Sequence, residues 1–151
     1  MTKGKMSDAV VSERALWIRR MISALKALPL QRKQDFLDDP RNVAAAESYL
    51  RRALEALFDI GRHILAKGFA LPTSEYKEIS EGLREKEILS LEEKELLKRM
   101  AGYRNRLVHF YHEVGPEELY EICTHHSHEI LALLDSLLKW LRRWKKTHKQ
   151  P

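Results

Sequence analysis

A single cysteine, Cys123, stands in 151 residues, so no disulfide can close within the chain. A fold without that staple needs a hydrophobic core of its own, and this length supplies one domain's worth. The missing disulfides agree with a reducing cytoplasm. Glycine and proline are scarce, at six and five, too few for the tight turns of a many-stranded protein. Nowhere do apolar and polar residues alternate as in a half-buried strand. Long apolar runs are missing as well. The longest near the end, Ile130 to Leu138, is interrupted by Asp135 and falls far short of the roughly 20 residues a bilayer-spanning helix needs. Met1 to Asp8 lacks the apolar stretch of a signal peptide, so the expectation is a cytoplasmic protein with no membrane attachment. His125, His126 and His128 lie close together, but no His-Glu-x-x-His or Cys-x-x-Cys spacing occurs, and no metal site is read. Nor is there a glycine-rich phosphate loop, so no cofactor is expected and any nucleotide must arrive through a partner enzyme.

What the chain does have is helical periodicity. Hydrophobic residues make up 44% and charged residues 32%, a mixture that suits helices with solvated outer faces. Val11, Ile18, Ile22, Leu25 and Leu28 recur at helical spacing up to Pro29. A short helical piece follows around Gln31–Leu37, and Asp39-Pro40 reads as an N-cap with proline in the first turn. From there Val43, Ala46, Leu50, Leu54, Leu57, Ile60 and Ile64 mark a long helix closed by Gly68. Ser74–Leu89 reads as one or two short helical turns. Ser90 and Glu93, three apart, form a capping-box signature ahead of a stripe of Leu96, Met100, Tyr103 and Leu107. Gly115-Pro116 turns the chain into a last helix carrying Leu119, Ile122, Ile130, Leu133, Leu137, Leu141 and Trp144. The expected fold is all-α, one domain over residues 1–151, an up-and-down bundle of four to five main helices.

The net charge of +5 is unevenly placed. The tail over residues 139–151 holds Lys139, Arg142, Arg143, Lys145, Lys146 and Lys149 and no acid, so the chain before it is close to neutral. Three readings of this basic tail stand: a solvated helix end whose cations complement the helix dipole, an arm that binds nucleic acid through Arg142, Arg143, Lys145 and Lys146, or a contact with a membrane surface.

The segment Met100-Ala-Gly-Tyr-Arg104-Asn105-Arg106-Leu-Val-His109-Phe-Tyr111-His112-Glu113 carries the most chemistry. On a regular helix each residue turns about 100°. With Arg104 at zero, Asn105 falls at about 100° and His109 at about 140°, while Leu107 and Phe110 lie beside Tyr103 and Met100 on the packing face. Groups able to move protons and bind anions thus share one side of a buried stripe. Ribonuclease chemistry without a metal needs such a set. A histidine, whose reference pKa of roughly 6.5 suits a base near neutral pH, takes the proton of a ribose 2′-OH as it attacks the adjacent phosphorus. An arginine fork holds the charge that builds on the phosphorane oxygens. On spacing alone the bland alternative, a solvated helix face, stays open.

Arg104-Asn105-x-x-x-His109-x-Tyr111, together with Phe36-Leu-Asp-Asp-Pro40, Ala56-Leu-Phe-Asp59-Ile-Gly-Arg-His63 and Met100-Ala-Gly-Tyr-Arg-Asn-Arg-Leu-Val-His109, resembles the HepT-like branch of the HEPN superfamily over roughly Ser12 to Trp140. The resemblance implies a small helical toxin with ribonuclease activity. It further implies a homodimer in which both motifs face one cleft, and an MntA-type minimal nucleotidyltransferase as antitoxin. It assigns Arg104 and His109 as catalytic, Asn105 as the polar residue that follows the arginine, and Tyr111 as the residue that receives AMP. Asp59, on the neighbouring long helix with His63 one turn away, is expected to orient Arg104, or else the two are a structural pair or face solvent. Arg106 joins the tail cations as a candidate RNA contact. The alternative function is a non-catalytic helical subunit that presents substrate to a nucleotidyltransferase; Tyr111 also has the alternative reading of a core aromatic.

Overall fold

Residues 5–109 and 114–148 are described by the computed structural model, and among them seven helices and no strand form. They are α1 (Asp8–Lys26), α2 (Lys33–Leu37), α3 (Pro40–Phe69), α4 (Tyr76–Glu85), α5 (Leu91–Val108), α6 (Pro116–His125) and α7 (Ser127–Thr147). Four are long; α2, α4 and α6 span five, ten and ten residues and connect them. This is the expected all-α bundle.

The bundle is organised on α3. Leu50, Ala53, Leu54, Phe58, Ile60 and Ile64 are wholly buried, and each of the other six helices packs against it. α1 lies along it most extensively, feeding in Val11, Ala15, Ile18, Ile22 and Leu25. Burying one such leucine or isoleucine contributes about 1.5–3 kcal/mol, and truncating it to alanine costs about 2–5 kcal/mol because the hole does not fully close.

Helix starts fall where their caps are. Asp39 Oδ1 accepts the Arg41 N–H at 2.9 Å with Pro40 in the first turn, and Gly115-Pro116 opens α6. At α5 the Glu93 N–H donates to Ser90 Oγ at 3.1 Å and the Ser90 N–H to Glu93 Oε1 at 2.9 Å. The other Glu93 oxygen accepts the hydroxyl of Ser136 on α7. Burial pushes the Glu93 carboxyl up, but the bonds from Ser136 and Ser90 outweigh it and leave the group below its ordinary value.

The end of α3 and the course of the last helix differ from the sequence reading. α3 runs through Gly68 to Phe69 and ends on Ala70, which takes a left-handed φ of 52°. Gly68 is an interior helical residue instead, and a Cβ there would make ordinary contacts, 3.5 Å from Met6 Cε and 3.8 Å from the Trp140 ring. The last helix is two helices, broken at His126 with φ −123° and ψ −10°. On either side of the break Thr124 Oγ1 donates to the Tyr120 carbonyl at 2.8 Å and Ser127 Oγ to the Cys123 carbonyl at 2.8 Å. Hydroxyls that bond back to the previous turn in this way compete with the helix ladder and bend it.

Candidate active site

α3, α4 and α5 converge on Arg104. Its guanidinium reaches across to α3, where Nε and Nη2 both donate to Glu55 Oε2, at 3.3 and 3.0 Å. Nη1 donates to Asn105 Oδ1 at 3.4 Å. Below it lies the first residue of α4: the Arg104 Cζ stands 4.9 Å from the centroid of the Tyr76 ring, a cation–π distance. Tyr76 in turn stacks on Phe58 at 4.3 Å and 7° between planes, so the platform under the arginine is tied to the core. Glu55 is itself anchored, since its other oxygen accepts from Arg51 Nη1 at 2.9 Å one turn earlier on α3. Burial pushes the Tyr76 hydroxyl above its ordinary value, so it stays protonated at neutral pH.

An arginine has five N–H donors in a planar fork. Glu55 takes the Nε–Nη2 edge and Asn105 one hydrogen of Nη1. One N–H on each terminal nitrogen is left without a partner by these bonds. Such donors are what a guanidinium offers to the oxygens of a phosphate. Arg104 lines a cavity of about 620 Å³ together with Tyr76, Lys77, Lys98 and Gly102.

His109 closes α5. Its N–H donates to the Asn105 carbonyl at 2.9 Å, while its ψ of 114° turns the chain out of the helix. The regular helix assumed from the sequence therefore ends at this residue, and helical angles carry no information on side chains beyond it. His109 is exposed and lines a second cavity with Glu47, Arg106, Val114 and Pro116, not the one Arg104 enters. Tyr111, with Phe110, His112 and Glu113, lies outside the described residues.

Three expected roles change. Asp59 does not orient Arg104: its oxygens take Arg62 Nη1 at 3.0 Å and Arg14 Nε at 3.3 Å, and the carboxylate on Arg104 is Glu55, one turn earlier. Nor does Asp59 hold His63, whose Nε2 accepts the Ser7 N–H at 3.1 Å at the start of α1. Arg106 is committed as a strap, donating through both Nη1 and Nη2 to the two oxygens of Glu118 on α6 at 2.6 Å each. That pairing raises the Arg106 guanidinium and lowers the Glu118 carboxyl. The basic tail is helical through Thr147 and is anchored by buried Leu141 with partly buried Trp140 and Trp144. Arg142, Arg143 and Lys146 are exposed on it, whereas Lys145 pairs with Asp8 of α1.

The remaining candidates have structural surroundings. His125 meets Glu121 at 3.3 Å and His126 Nδ1 meets Glu129 Oε1 at 2.6 Å. Among the described residues no group of three or more potential metal ligands converges, and no helix is long and apolar enough to cross a membrane. Cys123 is buried, and burial pushes its thiol up to about 12, so at neutral pH it is no nucleophile. The residues the sequence did not reveal are Glu55 and Tyr76. Glu55 carried a faint signal, the Arg51–Glu55 pair at helical spacing; Tyr76 carried none.

A family model described as Ribonuclease HepT-like matches residues 18–137. Among solved structures the chain is similar to a tri-AMPylated Shewanella oneidensis HEPN toxin in complex with an MNT antitoxin. The TM-score is 0.79 at 22% identity, over 89% of this chain and 99% of that one. A toxin–antitoxin structure with AMP-PNP matches with a TM-score of 0.77 at 21% identity, over 87% of this chain and 99% of that one. YutE from Bacillus subtilis, a cytosolic protein of unknown function, matches with a TM-score of 0.76 at 16% identity, over 98% of this chain and 97% of that one. No curated protein matches the sequence significantly. At these identities the structural matches speak for the fold.

Proposed function

The chain belongs to the HepT-like ribonuclease family, and from that premise we propose that it is a metal-independent endoribonuclease, the toxin of a pair whose antitoxin is an MntA-type nucleotidyltransferase. The observation that carries the reading is the Arg104 fork: anchored by Glu55, seated on Tyr76 and left with one N–H on each terminal nitrogen for a phosphate. In the proposed reaction His109 takes the proton from a ribose 2′-OH. That oxygen bonds to the adjacent phosphorus, and Arg104 holds the charge on the phosphorane. The bond from phosphorus to the 5′ oxygen then breaks. The leaving oxygen takes up a proton, leaving a 2′,3′-cyclic phosphate and a 5′-hydroxyl. A two-fold homodimer that brings both motifs to one cleft supplies a second His109 to give that proton, which suits an isologous interface. Asn105 keeps Arg104 in place, and Arg142, Arg143 and Lys146 extend the contact along the RNA.

We assign regulation to Tyr111 on the motif spacing and on the AMPylated state of the Shewanella relative. AMP on that ring adds a phosphate and a base, and a tethered competitor acts at high effective concentration. The test is direct. His109→Ala should lower cleavage on the order of 10²-fold or more with helicity unchanged, and EDTA should have no effect. Cleavage that needs added magnesium, or a fully active His109→Ala protein, overturns the mechanism. Tyr111→Phe should stay active when a nucleotidyltransferase antitoxin and ATP are supplied; a variant silenced as fully as wild type overturns the switch.

A further inference from the structure

Among the glycines inside helices, two are demanded by close packing and Gly102 meets no neighbour at all. At Gly61 a Cβ would stand 2.9 Å from Ile79 Cγ2, and at Gly82 it would stand 2.9 Å from Leu65 Cδ1. Close approach of α3 and α4 explains both. Gly102 lies inside α5, two residues before Arg104, and a Cβ there would meet nothing within 4 Å. A glycine within a helix destabilises it relative to alanine, and no neighbour among the described residues requires this one. It faces the cavity that Arg104 enters. Four cations, Arg62, Lys77, Lys98 and Arg104, line that cavity against one acid, Glu75. Arg62 and Arg104 share carboxylates with Asp59 and Glu55, but neither Lys77 nor Lys98 forms an ion pair among the described residues.

We propose that the groove floored by Ala101 and Gly102, between the start of α4 and the face of α5, seats the RNA backbone next to the scissile phosphate. Lys77 and Lys98 take the charge of the neighbouring phosphate, and Gly102 is bare so that the sugar–phosphate chain can lie against the helix. The assignment rests on the ribonuclease reading of Arg104. The groove suits a phosphate rather than a base, because its aromatic ring is taken. Phe58 stacks on Tyr76 at 4.3 Å and Arg104 sits 4.9 Å over it; two groups that close must occupy opposite faces. The two grooves of the proposed homodimer can flank a shared cleft but not fill one another, since direct isologous contact would set their excess of cations against itself.

The experiment uses a fluorescent, uncleavable 2′-O-methyl RNA oligonucleotide with full-length protein. Gly102→Ala and Gly102→Leu should raise Tm by about 2–4 °C through better helix propensity. They should weaken binding in steps, by about threefold and about tenfold. Lys98→Ala should flatten the dependence of log affinity on log salt by about 0.7, the share of one single-strand phosphate. Unchanged affinity in both Gly102 variants overturns the proposal, as does a fall in Tm, which would mean that the space is not open. So does a changed sedimentation coefficient with unchanged RNA affinity, which would make the groove an interface between copies. Cleavage of ordinary RNA is followed in parallel. A protein that binds the probe through Gly102 and Lys98 but cuts nothing keeps the groove and loses the ribonuclease reading.

Discussion

Two arginines stand two positions apart on α5 and do opposite things with the same fork. Arg106 gives both terminal nitrogens to the two oxygens of Glu118, at 2.6 Å each, and so ties the end of α5 to α6. Arg104 gives its Nε edge to one oxygen of Glu55, keeps one N–H free on each terminal nitrogen, and lines a cavity. The difference lies in the geometry of the acid. A carboxylate met end-on uses up the fork, while one met side-on aims it. An ion pair at a candidate site therefore argues for or against function only when the engaged edge is known.

The contrast makes its largest prediction at Arg104. Replacing it by lysine keeps the charge but removes the fork, and cleavage should fall on the order of 10²-fold with little change in thermal unfolding. A lysine variant that cuts RNA at the wild-type rate would show that charge alone suffices, and the comparison would lose its point. The same distinction between committed and open cations applies on α7, where Lys145 is tied to Asp8 but Arg142, Arg143 and Lys146 are exposed. Replacing those three by glutamine should flatten the salt dependence of RNA binding by about 0.7 for each phosphate they meet. Lys145→Gln should leave it unchanged. Deletion from Lys139 onward would be a poor substitute, because it also removes buried Leu141.

Arg106→Gln comes next and should do the reverse of Arg104→Lys. Its pair is more than a third exposed, so the expected loss is at most about 1 kcal/mol, a shift of about 2–4 °C in Tm, with an unchanged salt slope for RNA. A flattened slope would return Arg106 to the RNA-binding surface. The smallest effect concerns a bond that can be switched by protons alone. Burial, with Lys67 nearby, holds His63 below its ordinary value, and its Nε2 accepts the Ser7 N–H, which requires the neutral ring. The unfolded chain therefore binds the proton more readily. This stabilisation is fully present above the unfolded value of about 6.5 and is lost as pH falls through the lower folded value. Thermal unfolding followed from pH 8 to 5 should show the decline, and His63→Ala should lessen it.

The sequence revealed whatever local chemistry controls. Ser90 with Glu93, Asp39 with Pro40, and Gly115 with Pro116 each mark a helix start, and each start is found there. Arg104 and Asn105 lie together, as one helical step requires. The pairing of Arg104 was not legible. Glu55 and Asp59 are one turn apart on α3, and the spacing treats them alike. Which one meets α5 depends on how far the two helices slide along each other, and core packing alone sets that. The break at His126 was hidden for a related reason. Apolar residues keep their period across it, from Leu119 and Ile122 to Ile130 and Leu133, while the hydroxyls of Thr124 and Ser127 bend the chain between them.

The position of α3 has a consequence for how the molecule comes apart. All six other helices dock on it, so releasing it uncovers an apolar face on each of them. Partial unfolding that keeps the bundle while releasing α3 has no apolar refuge, so melting is expected as one cooperative event, the behaviour of small single domains. Glu55, which holds the Arg104 fork, and Phe58, which backs the Tyr76 ring beneath it, belong to that same helix. The cleft shares the fate of the whole fold: it is intact while the bundle stands and has no folded remnant in which to persist.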